Sequence, residues 1–145
     1  MIDAMDDMLW AISPENDGMQ KTVERMQEYI DALNSQQNSN IEMLVDEKVK
    51  RLRSDMQFRH EAYLLFKESI DGLAKAGAAD CRIYAGLDKN TLLFTIQCKN
   101  NNCDMQQLNN LLHSQVMQKR LDTIKATLQT DIHKSNSILT LKVPV

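Results

Sequence analysis

Two runs of strict alternation set the strongest constraint on this chain. Cys81, Ile83, Ala85 and Leu87 alternate with Arg82, Tyr84 and Gly86, and Leu92, Phe94, Ile96 and Cys98 alternate with Leu93, Thr95 and Gln97. Only Asp88-Lys89-Asn90 separates them. A period of two places every second side chain on one face, so the runs are strands and the short polar break folds them into a β-hairpin. One face of that hairpin is apolar from end to end, and an apolar sheet face has to be covered by another layer.

The covering layer is legible as helices. Met19, Val23, Met26, Ile30 and Leu33 follow four-three-four-three spacing and form one apolar stripe, with Glu24, Gln27, Glu28 and Asp31 left for solvent. The spacing predicts a helix over 17–33, followed by a loop over the wholly polar run Asn34 to Asn40. Ile41, Met43 and Val45 then alternate as a short strand. Phe58, Ala62, Leu65, Phe66, Ile70 and Leu73 recur at helical spacing between a Ser54-Asp55 cap and Gly77, a second long helix over about 55–77. After the hairpin, Lys99 to Asn102 is polar and aperiodic. Leu108, Leu111, Leu112, Val116, Met117, Leu121, Ile124 and Leu128 then resume helical spacing, with the helix expected at 114–128. A last hairpin pairs 131–133 with the alternating Leu139, Leu141 and Val143. The order predicts an α+β fold, a two-layer sandwich with helices on one face of a mixed sheet.

Composition narrows the function classes. At 145 residues and a net charge of −3 from 17 basic and 20 acidic side chains, no dominant basic surface for nucleic acid is available. The odd number of cysteines, Cys81, Cys98 and Cys103, follows no paired metal-ligand spacing and reads as reduced thiols in a cytoplasmic protein. Cys98, Cys103 and His113 make a weak zinc set, so no metal is expected. The nine methionines read as flexible core filler. The first segment places Ile2, Met5, Leu9 and Ile12 at helical spacing beside Trp10, too short to stand alone, before Ser13-Pro14 stops it and starts the next element.

Two passages resemble bacterial two-component sensor histidine kinases. Asp6-Asp7-Met8-Leu9-Trp10-Ala11-Ile12-Ser13-Pro14-Glu15-Asn16-Asp17 is similar to the end of that family's second dimerisation helix and the junction after it. Phe66-Lys67-Glu68-Ser69-Ile70-Asp71-Gly72-Leu73-Ala74-Lys75-Ala76-Gly77-Ala78 resembles the metal-site helix of its ATP-binding domain. The resemblance implies a Bergerat-type (GHKL, HATPase_c) ATPase fold over 14–145, with 1–13 as the end of a dimerisation helix. It also implies the dimerisation helices, a homodimer and a response regulator as partners, and phosphotransfer from ATP with Mg²⁺ to a histidine upstream of this chain. His60 lies in the ATPase portion and is not that acceptor.

Such a domain needs an Asn on the metal, an Asp at the adenine edge, and glycines where the lid backbone approaches the phosphates. Carried over residue by residue, Glu68 and Lys75 are retained, while the metal Asn falls on Gly72 and the adenine Asp on Cys98. The lid glycines fall among Asn100 to Cys103, where Asn100 and Asn102 tolerate a left-handed backbone but would crowd the phosphates. The pattern implies a degenerate nucleotide site and no bound cofactor, with ATP and Mg²⁺ implied only if the pocket still works.

Overall fold

The alternating runs pair as the hairpin in the computed structural model, which describes residues 18–78, 80–99, 103–133 and 135–145, with the side chain of Met105 left out. Strand β2 (Asp80–Asp88) and strand β3 (Thr91–Lys99) turn at Lys89, which takes the left-handed conformation at φ 55°. Around them lie α1 (Met19–Gln37), β1 (Asn40–Val45), α2 (Glu47–Lys50) and α3 (Met56–Lys75), followed by α4 (Met105–Leu112), α5 (Gln115–Thr123), β4 (Thr127–Ile132) and β5 (Asn136–Pro144). The sheet runs β1-β2-β3-β5-β4, with β1 parallel to β2 and the other pairs antiparallel.

Alternation decides which face is buried. Ile83, Phe94, Ile96, Leu139 and Leu141 join the stripes of α1, α3, α4 and α5 in one core, with Phe66 and Ile96 fully buried as expected. The other sheet face carries Leu44, Tyr84, Thr95, Thr140 and Lys142 and stays partly or fully exposed. This is the two-layer α+β sandwich with a mixed sheet. Among the described residues, no helix is long and apolar enough to cross a membrane.

Several expectations need correction. Helix α1 runs on through Asn34 to Gln37 because the Asn34 amide both donates to the Ile41 carbonyl and accepts from the Ile41 N–H, each at 2.9 Å, so the polar run serves the start of β1 from within the helix. Asn38, at φ 55°, then ends it. The leucine-rich stretch is two helices. Ser114 breaks it by capping α5, accepting the Met117 N–H at 3.2 Å. Lys125 turns left-handed at φ 55° and ends that helix region, so Leu128 lies in β4 opposite Leu141 rather than in a helix. Helix α2 had no counterpart in the reading; its single apolar anchor is Val49.

The cysteines are the other correction. Cys81 and Cys98 face each other across the β2–β3 ladder with Cα atoms 4.2 Å apart, the close spacing of a non-hydrogen-bonded pair, and their sulfurs are joined in a disulfide. Only Cys103 is free among the three.

Candidate functional site

Of the positions singled out by the sequence, those among the described residues lie on the last turns of α3 and near the end of β3. Asp55 starts α3 by accepting the Phe58 N–H at 2.7 Å, and Gly77, at φ 92°, closes it while the Ala78 N–H returns to the Leu73 carbonyl. Strand β2 begins shortly after that cap, at Asp80. On the last two turns of α3, Glu68 is half-buried, Gly72 buried and Lys75 exposed. Cys98, one residue from the end of β3, is buried and tied to Cys81. Asn100 and Asn102 lie outside the described residues, as does the segment 1–13.

Helix α4 packs over Gly72. Its Asp104 caps it by accepting the Gln107 N–H at 3.1 Å, and the Asp104 N–H donates to the Ala76 carbonyl at 2.7 Å, stitching the start of α4 to the end of α3. Leu108 and Leu112 are buried, and a Cβ built on Gly72 would lie 3.7 Å from the Leu111 Cβ. Gly72 presents no ligand atom, and the Cys98 sulfur is already bonded, so neither offers the oxygen that a metal or an adenine amino group would seek.

Next to this end lies a polar cluster that the sequence did not reveal. The Tyr29 hydroxyl donates to Asp71 Oδ1 from α1 across to α3, and Lys67 Nζ stands 5.3 Å from the Tyr29 ring centroid. Burial pushes the Asp71 carboxyl above its ordinary value, and the Lys75 charge pulls part of the way back. Residues 42 positions apart meet here, so only the α1–α3 packing could disclose the pair. Burial likewise raises the Cys103 thiol, and the Asp104 carboxylate adds to it.

Two members of the weak zinc set have other partners. Cys98 is in the disulfide and His113 Nδ1 pairs with the Asn109 carbonyl at 2.9 Å; among the described residues, no group of three or more His, Cys, Asp or Glu could hold a metal. An open cleft of about 360 Å³ lies elsewhere, between the start of α3 and the end of α5, lined by Asp55, Phe58, Glu61, Ile124 and Lys125.

Solved structures share this arrangement. The chain superposes on histidine kinase AdeS of Acinetobacter baumannii with TM-score 0.66 and 15% identity, over 97% of this chain and 76% of that one. On the blue-light activated histidine kinase EL346 of Erythrobacter litoralis the TM-score is 0.73 at 13% identity, over 99% of this chain and 46% of that one. On the catalytic domain of histidine kinase ThkA it is 0.65 at 9% identity, over 88% and 92%. The chain has the fold of histidine kinase catalytic domains. It spans less than half of the EL346 chain. No protein-family profile matches the sequence, and no curated protein matches it.

Proposed function

We propose that the chain is the ATPase-fold part of a sensor histidine kinase in which the nucleotide position is rebuilt as packing, so that the domain transmits conformation or holds a partner instead of delivering phosphate. The observation that carries this reading is the contact of α4 with Gly72. Where the resembled family places a metal-binding Asn, this chain has a buried glycine under Leu111. The adenine-edge position, Cys98, is spent on a disulfide. These residues do not fit a Mg²⁺-nucleotide held in the family's manner, and no chemical step is assigned to it.

The partners that go with this reading are the dimerisation helices, of which 1–13 would be the end, a second copy in a homodimer and a response regulator. The protein would work on the cytoplasmic side of a receptor.

Retention of Glu68 and Lys75 on one face of α3 favours a second reading, an active domain phosphorylating a histidine on an upstream helix. Calorimetry with Mg²⁺-ATP and a melting scan at millimolar nucleotide separate the two. Each lost charge-assisted contact is worth roughly 1.5–3 kcal/mol, so two of them weaken binding by about two to four decades. No saturable heat and no melting shift are expected, since a ligand far below its dissociation constant adds almost nothing to stability. Saturable binding at micromolar nucleotide would establish the active domain instead.

A further inference from the structure

We propose that Cys81 and Cys98 are a reversible redox pair that ties the ends of β2 and β3 to each other when oxidised and unties them from each other when reduced. The pair is the last rung of the β2–β3 ladder, at the start of β2 and one residue before the end of β3. The last rung is flanked by Asp80 and Lys99, an exposed ion pair at 3.4 Å. An exposed pair contributes little in water, so once the disulfide opens, the tie between the two ends falls to the Arg82–Gln97 rung and the buried Ile83–Ile96 pair, while β1 still flanks β2 at Cys81 and β5 still flanks β3 at Cys98.

The fold does not depend on this bond. A chain of 145 residues with one continuous core has enough buried surface to stand without disulfides, and the 17-residue span between the cysteines is already closed by the hairpin. Where thiol reductants act, a disulfide outside a structural role is transient and senses redox poise. Both cysteines are 1% exposed, so attack waits on local opening of the strand ends. Cys103 is the free cysteine, and burial together with the Asp104 carboxylate raises its thiol, which disfavours the thiolate that would attack the pair.

The step is ordinary thiol–disulfide exchange with an external thiol reductant, small-molecule or protein. One reductant thiolate attacks a sulfur of the pair, the Cys81–Cys98 bond breaks and a mixed disulfide forms. A second reductant thiol displaces the chain's sulfur and leaves as the oxidised reductant. Two electrons and two protons finish on Cys81 and Cys98 as two thiols. The tie lies close in the chain to Ala78 at the α3 cap and to Asp104, whose N–H donates to the Ala76 carbonyl, so its loss should be felt at the end of α3 and the start of α4.

The test uses the whole chain prepared in air. Unfolding in iodoacetamide should add one label by intact mass, at Cys103, and three after prior reduction. Equilibration across graded glutathione ratios should show a midpoint within the range. Hydrogen exchange of the reduced form should lose protection at 80–83, 96–99 and the start of α4, and its melting point should fall by roughly 5–10 °C. Cys103→Ala should behave as wild type, and Cys81→Ala with Cys98→Ala should match the reduced form. If that double variant does not fold, the reduced wild type gives the same readout. Three labels without reduction, a bond that stays closed at every glutathione ratio, or unchanged exchange on reduction each overturns the proposal.

Discussion

Leu111 of α4 lies in van der Waals range of a side chain that Gly72 of α3 does not have, 3.7 Å from where its Cβ would stand. A methyl fits that space, and alanine is the better helix former, so Gly72→Ala should raise stability by about 0.5–1 kcal/mol in urea unfolding. Gly72→Asn puts an amide under Leu111 instead. Left without a partner, that amide should lower stability by about 1–3 kcal/mol. Recovery of saturable Mg²⁺-ATP binding in Gly72→Asn would show that a pocket survives around the missing group.

Cys98→Asp, the other change toward the resembled motif, should be far more damaging. It removes the cross-strand bond and places a carboxylate at a position closed to water. An uncompensated buried charge costs about 3–5 kcal/mol, so this variant should be largely unfolded or should bind protons well above the usual carboxylate range. Circular dichroism from pH 4 to 8 distinguishes these outcomes from a tolerated substitution, which would mean that the strand end opens to solvent.

Phe66 and Phe94 join the helical layer to the sheet, with ring centroids 6.0 Å apart and planes tilted by 51°. Phe66 has no exposed surface, and Phe66→Ala should cost about 3–5 kcal/mol, read as a shift in the urea midpoint at unchanged slope. A loss under about 1 kcal/mol would mean that the core collapses around the gap, contrary to its close packing.

What the sequence made legible was whatever a local period writes. The stripe of α1 and the strands of the hairpin follow from spacing alone. The helix expected from 114 does start at the Ser114 cap, but α4 had no bounds of its own because Leu108, Leu112 and Val116 keep helical spacing across the break. Lys125 in a left-handed turn has no residue-type signature, so Leu128 read as helix. The disulfide was within reach. A hairpin closed between Asp88 and Thr91 brings Cys81 opposite Cys98 by register, a relation that the odd number of cysteines masks. The Tyr29–Asp71 contact depends on how two distant helices pack, which no local pattern encodes.

Residues 1–13 lie outside the described residues, and their stripe of Ile2, Met5, Leu9 and Ile12 sets a separate expectation. A short amphipathic helix from a dimerisation bundle buries its stripe only against partner helices. The full chain should therefore self-associate in light scattering behind size exclusion, and the chain starting at Pro14 should be monomeric. Monomers in both cases count against the bundle.

Asp71 supplies the pH dependence. Its carboxyl is raised in the fold by burial, with Lys75 opposing, so the folded protein holds this proton more tightly than the unfolded chain does. The linkage then has a definite sign: the contribution is fully present below the ordinary carboxylate value and is lost as pH rises through the raised one. Asp71→Asn removes the titration while its amide oxygen still accepts from the Tyr29 hydroxyl. Melting temperatures of wild type and variant, compared from pH 3 upward, should diverge in favour of the variant across the window just above the ordinary carboxylate range and run parallel beyond it. Loss of the Lys75 attraction in the variant works the other way, and Lys75→Met in the wild-type background measures it: that change should move the window to higher pH. Parallel curves for Asp71→Asn throughout, or a divergence in favour of the wild type on rising through the window, would show that the Tyr29 and Lys75 contacts outweigh burial at this carboxyl.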